Sequence, residues 1–114
     1  MSEPDGDDLL AKLAALANPV RLRILAALAA DRAYVSQLAR DLRISRPLLH
    51  MHLQRLEAAG LVRGTLELSA DGKALKFYEI TAFDLRLTPS ALARAVRTLT
   101  MAEPRPGFTD KEHR

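Results

Sequence analysis

The sequence predicts a mainly α-helical domain with one small β-hairpin, and three observations carry that reading. Apolar residues recur at helical spacing through most of the chain. One stretch, residues 61–81, reads instead as two strands around a turn at Ala70-Asp71-Gly72. Aromatic residues make up only 4% of the 114, with no Trp, so the core must be built of Leu, Ala, Ile and Val, which favours helices over a sandwich. A hydrophobic fraction of 48% suffices for the modest core of a single domain.

Residues 1–7 are acidic and expected to be disordered, ahead of a domain spanning residues 8–103. Asp7 or Asp8 can cap a first helix through Ala17, in which Leu9, Leu13 and Leu16 share a face with Leu10 and Ala17 beside it. That helix stops at Asn18-Pro19. A second helix runs to about Ala30 with Val20, Ile24 and Leu28 inward, and breaks near Asp31. A short third helix, Val35 to about Leu42, places Val35, Leu38, Ala39 and Leu42 on one face, although Tyr34 makes a poor cap for it.

Ser45 to Gly60 reads as a helix with both ends marked. Ser45 can accept from a first-turn N–H, Pro47 is tolerated where its missing N–H had no partner, and Gly60 supplies the left-handed residue of a Schellman stop that brings Leu61 against Leu56. Only Arg43 and Ile44 separate it from the preceding helix, the short joint of a helix-turn-helix, with Ile44 expected to plug the core under the turn. Leu49, Leu53 and Leu56 form the buried stripe. Pro47, Met51, Gln54, Arg55 and Ala58 lie opposite, with Leu48 and His50 at the margins.

A solvated helix normally carries acids in its first turn to complement the dipole, yet here the first acid is Glu57. A helix start with Arg46 and no carboxylate suits a phosphate, while His50, Gln54 and Arg55 can donate to base edges. In isolation such a helix is more often a surface helix packed on its neighbours, so its context has to decide. The first helix of a helix-turn-helix crosses the DNA backbone and the second, here about 46–59, enters the major groove.

The hairpin, about 61–81 with Tyr78 and Ile80 alternating on its return strand, follows the recognition helix directly and so occupies the place of a wing. The fold class is therefore a winged helix-turn-helix. Arg63, Lys73 and Lys76 are available to backbone phosphates or the minor groove, although a hairpin here can also serve only to close the core. After a connection over 82–88, Pro89-Ser90 opens a last helix to about Ala102 with Leu92, Val96 and Leu99 on one face. The domain has little left for that helix to cover. Leu9 and Leu13 with Leu92, Val96 and Leu99 are thus expected to form the seam of a two-fold homodimer. Residues 104–114 are expected to be a disordered tail.

Net charge is only +3, but it is unevenly spread. Residues 19–68 carry Arg21, Arg23, Arg32, Arg40, Arg43, Arg46, Arg55 and Arg63 against Asp31, Asp41, Glu57 and Glu67. Guanidinium is the better fork for phosphate and guanine. Cysteine is absent, which removes disulfides and thiolate metal sites. No apolar run approaches membrane-spanning length and the amino terminus is acidic, so a cytoplasmic protein without membrane contact is expected. No nucleophile with a base, paired carboxylates in a cleft, phosphate-cradling glycine loop or metal triad is visible; an enzyme is not expected, nor a cofactor.

Leu16-Ala17-Asn18-Pro19-Val20-Arg21-Leu22-Arg23-Ile24-Leu25, then Val35-Ser36-Gln37-Leu38-Ala39, Ile44-Ser45, His52-Leu53, Leu56 and Ala59-Gly60-Leu61-Val62 resemble the ArsR family of winged-helix transcriptional regulators over roughly residues 9–81. The resemblance implies a homodimeric repressor that binds double-stranded DNA at an inverted-repeat operator through residues 45–60 and the wing. Two departures stand out. Arg43 occupies a turn position where the family often has Gly, so a left-handed conformation there would cost on the order of 1 kcal/mol, set against a phosphate contact. The cysteines or the His and acidic ligands that metal-sensing members carry on the helix before the recognition helix, or on the terminal helix, are also missing apart from Asp41.

His50 and His52 point about 200° apart on a helix and cannot grip one metal within a protomer. No metal site is expected, and the effector is not legible. The DNA-contacting set is Arg43, Ser45, Arg46, Pro47, Leu48, His50, Met51, Gln54, Arg55, Arg63, Lys73 and Lys76. The alternative function is a winged-helix protein–protein interaction module, since Leu48 and Met51 can meet thymine methyls or a partner's groove.

Overall fold

The computed structural model describes residues 5–100 of the chain. They form α1 (Gly6–Leu16), α2 (Pro19–Ala30), β1 (Ala33–Tyr34), α3 (Val35–Leu42), α4 (Arg46–Ala58), β2 (Val62–Leu68), β3 (Ala74–Ile80) and α5 (Pro89–Val96). No single helix among them is long and apolar enough to cross a membrane. Two compact units are present, one of residues 11–85 and one of the segments on either side of it.

The larger unit contains the winged helix-turn-helix. Asn18 caps α2 by accepting from Arg21 N at 3.0 Å, with Pro19 in the first turn. Ile24, Leu25 and Leu28 of α2, Val35, Leu38 and Ala39 of α3, and Leu49, Leu53 and Leu56 of α4 close a common core with Leu61, Val62 and Tyr78. Val20, Leu42 and Ile44 pack at its edge. Helix α3 begins without a side-chain cap at Tyr34, as its sequence suggests.

The hairpin pairs β2 with β3 in antiparallel register from Val62–Ile80 to Leu68–Ala74. A third strand, β1, was not foreseen: Ala33 and Tyr34 pair with Tyr78 and Phe77, giving the order β1-β3-β2. Two residues carry no period to read, and their partners lie far along the chain. This strand explains a second departure from simple alternation. Phe77 is buried on the face opposite Tyr78, because Tyr34 meets its ring edge-on at 5.9 Å between centroids and the Arg32 guanidinium lies 4.0 Å over it. Glu67 ties that cover down, accepting from Tyr34 Oη at 3.1 Å and from Arg32 Nη1 at 3.4 Å.

The smaller unit corrects two expectations. Asp5, rather than Asp7 or Asp8, caps α1, its Oδ1 accepting from Asp8 N at 2.7 Å. The helix accordingly starts at Gly6, ahead of the expected boundary at residue 8. Asp7 is occupied elsewhere, accepting from the backbone N of Thr100 at 2.9 Å and from its hydroxyl at 2.6 Å. Both bonds hold the Asp7 carboxyl below its ordinary range.

Helix α5 stops at Val96 instead of running to about residue 102, so Leu99 falls in the turn beyond it, with its N–H on Val96 O at 3.2 Å. Thr98 supplies the reason. Its hydroxyl donates to Ala95 O at 3.1 Å and accepts from Gly6 N, a local alternative to another helical turn. Met101, Ala102 and the expected tail, together with residues 1–4, lie outside the described residues.

Candidate nucleic-acid interface

The interface is built on the turn that aims α4. Arg43 adopts φ 59°, ψ 45°, the only non-glycine residue with positive φ among the described residues. Through that left-handed step Ile44 N reaches Ala39 O at 3.1 Å and Arg43 N reaches Arg40 O at 3.2 Å, which closes α3 and turns the chain within two residues. Ser45 then caps α4, its Oγ accepting from Leu48 N at 3.2 Å. At the far end Gly60 has φ 80°, and Leu61 N to Leu56 O at 2.9 Å with Gly60 N to Glu57 O at 2.9 Å complete the Schellman stop. Leu56 and Leu61 are both fully buried across it.

With its ends fixed and Leu49, Leu53 and Leu56 buried, α4 has one possible outward face. Ser45, Arg46, Pro47, Leu48, His50, Met51, Gln54 and Arg55 are all exposed, as is Arg43 in the turn. Leu48 and Met51 are 39% and 41% exposed, an apolar element within a polar strip. No acid lies in the first turn. Glu57, the helix's one carboxylate, is turned to the edge strand, where Oε2 accepts from Gly64 N at 3.4 Å. The face therefore presents hydrogen-bonding groups, apolar carbon and positive charge, with no carboxylate in the first turn.

Arg55 is exposed but lies on the flank of that face, toward α1 and the start of α2, rather than at its centre. Next to it is His52, 5% exposed, whose Nδ1 stands 3.4 Å from Arg21 Nη1. A ring nitrogen facing a guanidinium must be the acceptor, so the imidazole is neutral there. Burial, and after it the charges of Arg21 and Arg55, push His52 below its ordinary value of 6.5. Arg21 was not among the expected site residues. Its signal, an arginine one turn into the second helix, has no meaning until the fold brings it to His52.

On the wing, Arg63 pairs across the strands with Glu79, Nη2 to Oε2 at 2.9 Å, so this cation is already engaged. Lys76 sits 5.4 Å from the Tyr78 ring centre on the core-side face of the sheet. Lys73 follows the turn and is exposed. The turn is held by Ser69, which accepts from Lys73 N at 3.1 Å and donates to Asp71. The Ser69 hydroxyl and, after it, the Lys73 backbone N–H hold the Asp71 carboxyl below its ordinary range. The wing tip thus carries a negative charge beside Lys73, and Leu66 and Leu68, on β2 just before the turn, are 65% and 77% exposed.

The expected seam residues divide. Leu9 is 7% exposed and already covered within the chain, and Leu13 and Leu99 are half-buried, whereas Leu92 and Val96 are 46% and 62% exposed. Leu10, one residue on from Leu9, is 44% exposed and Leu87 50%, so the smaller unit carries an uncovered apolar surface. Among the described residues no three His, Asp or Glu side chains gather as metal ligands.

A family model described as a helix-turn-helix domain matches residues 16–65. An uncharacterized HTH-type transcriptional regulator of Methanocaldococcus jannaschii is 38% identical over 69 residues, 60% of this chain and 72% of that protein. The crystal structure of a possible transcriptional regulatory protein from Mycobacterium bovis is similar at a TM-score of 0.58 and 30% identity, covering 65% of this chain and 74% of that one. A solution structure from Mycobacterium bovis gives a TM-score of 0.56 at 28% identity, covering 65% of this chain and 64% of that one. It is described as the homodimeric winged helix-turn-helix DNA-binding domain of a possible ArsR-family transcriptional regulator.

Proposed function

This chain belongs to the ArsR family of winged helix-turn-helix transcriptional regulators, and from that premise we propose that it acts as a homodimeric repressor at an inverted-repeat operator. In this reading α4 lies in the major groove with Gln54 on base edges, Leu48 and Met51 against thymine methyls, and Arg43, Arg46 and Arg55 on flanking phosphates. Lys73 serves as the wing's phosphate contact, since Arg63 is held by Glu79. The observation that carries the proposal is the exposed face of α4: donors and arginines, with the helix's one acid turned away to Gly64.

Support for the dimer comes from Leu10, Leu92 and Val96, exposed apolar residues on the smaller unit, and from the homodimeric domain to which this fold is similar. Selection of bound fragments from random DNA tests the operator reading, followed by titration of Gln54→Ala against selected and scrambled duplexes. A direct base contact predicts a loss of about 1 to 3 kcal/mol on the selected duplex alone. Equal affinity of wild type and variant for both duplexes, with Leu48→Asp abolishing capture of a protein partner instead, supports the interaction-module reading that the exposed Leu48 and Met51 allow.

A further inference from the structure

We propose that the groove between α1 and α4 binds a small monocarboxylate with an apolar body, its carboxylate held by Arg21 and Arg55. Ala11, Ala14 and Ala15 of α1 face Ala58 and Ala59 of α4 across an open groove of about 240 Å³. Alanine on both walls is what leaves the space, because apart from Arg55 no lining residue of either helix extends past Cβ. The walls offer a ligand carbon contact and no side-chain hydrogen bond.

The two remaining lining residues are arginines. Arg21 is pinned, Nε donating to Ala15 O at 2.8 Å and Nη1 facing His52 Nδ1, so the guanidinium is ordered before any ligand arrives. Arg55 has no hydrogen bond or ion pair among the described residues, and no carboxylate lines the groove. Two guanidiniums beside a neutral histidine, without a counter-charge and partly shielded by alanine, are completed by an oxyanion, which the arginine fork binds through paired N–H groups. A DNA phosphate alone would leave the alanine walls unused. A nucleotide would exceed the volume and find no partners for its base.

Arg55, Ala58 and Ala59 belong to α4, so a carboxylate on Arg55 withdraws that side chain from operator phosphates. This regulatory link rests on the proposed role of α4 in DNA reading, whereas binding in the groove does not.

The test uses the full chain with hexanoate as probe, followed through the alanine methyl resonances, with hexanol and inorganic phosphate in parallel. Saturable shifts at Ala11, Ala14 and Ala58 are expected with hexanoate, and affinity for either control lower by about tenfold or more, the worth of a charge-assisted hydrogen bond or of the lost apolar contact. Ala11→Leu, at an exposed helical position, fills the groove and should abolish the shifts; Ala14→Leu repeats the test should the first variant lose its fold. Hexanol binding as well as hexanoate, phosphate binding as well as hexanoate, or undiminished binding in both filled variants overturns the site. Saturating hexanoate should also weaken operator binding severalfold in wild type and not in Arg55→Ala. Unchanged operator affinity with hexanoate bound overturns the regulatory link, while failure of the ligand-free protein to bind any selected duplex overturns the reading of α4 instead.

Discussion

Nη1 of Arg21 lies 3.4 Å from Nδ1 of His52, so a guanidinium on α2 and a buried ring on α4 share one hydrogen bond that requires the ring to be neutral. A proton placed on His52 would meet Arg21 and Arg55 with no acid among the groups that shift it. The contact thereby couples the seating of α4 to pH.

His52 in the folded chain sits below its ordinary 6.5, so as pH falls the unfolded chain takes up the proton first. Its contribution to stability is fully present above about 6.5 and is lost progressively as pH drops from there toward the lower folded value. Urea midpoints measured between about pH 7.5 and 5.5 should decline for wild type and stay flatter for His52→Gln, which keeps an acceptor and cannot titrate. An equal decline in both proteins would remove His52 as the cause. Asp7 and Asp71, both depressed carboxylates, contribute a separate loss only as pH falls below their ordinary 3.8.

Arg43 holds a left-handed conformation that costs an L-residue on the order of 1 kcal/mol relative to glycine. Arg43→Gly should therefore raise stability by up to about that amount while weakening binding to selected and scrambled duplexes alike, as expected for a lost phosphate contact. Stability and affinity moving in opposite directions is the outcome to look for in paired denaturation and DNA titrations. A variant with unchanged affinity would mean that the strain at this turn is retained for something other than DNA.

Gly64 lies directly beneath Tyr78 in the β2–β3 register. A Cβ there would stand 2.7 Å from Tyr78 Cε2 and 2.9 Å from Lys76 Cε. Lys76 can swing away, but Tyr78 is 2% exposed and fixed by the core, so Gly64→Ala should cost about 1 to 3 kcal/mol through forced repacking. Thermal unfolding of the variant checks this, and a loss under about 0.5 kcal/mol would show that the hairpin shifts freely over the ring.

Helix α4 was legible in the sequence because its signals are local: Ser45 three residues before Leu48, Gly60 just past the C-cap Ala59, and leucines at helical spacing between. The left-handed Arg43 was implied by the family resemblance, since members often carry Gly at that turn position. What escaped was set at a distance. Strand β1 exists because Phe77 and Tyr78 offer it a free edge, and the cover of Phe77 by Arg32 follows from that pairing. Helical spacing put Arg55 on the outer face without its relation to α1, and it could not reveal that Glu79 occupies Arg63. On α1 the azimuth was right but the consequence differed: Leu9 is consumed inside the chain, and Leu10 beside it remains open.

Dimerisation and DNA affinity should fail together, because one winged helix meets one half-site and neutralises few phosphates. Val96 is 62% exposed near the end of α5, so Val96→Asp places a charge in water in the monomer and should leave the fold intact. A dimer sealed over Leu10, Leu92 and Val96 would have to bury that carboxylate without a partner, a cost of several kcal/mol that a small seam cannot offset. The variant is therefore expected to sediment as a monomer. If the proposed wild-type dimer neutralises about four phosphates per protomer, log affinity should fall against log salt with a slope near about −7, and the monomer should show about half that slope and much weaker specific binding. Circular dichroism establishes the fold, sedimentation the oligomeric state, and salt-dependent titration the slope. A folded Val96→Asp protein that remains dimeric would remove the smaller unit's exposed face from the seam, and a monomer that keeps full affinity and slope would separate dimerisation from operator binding altogether.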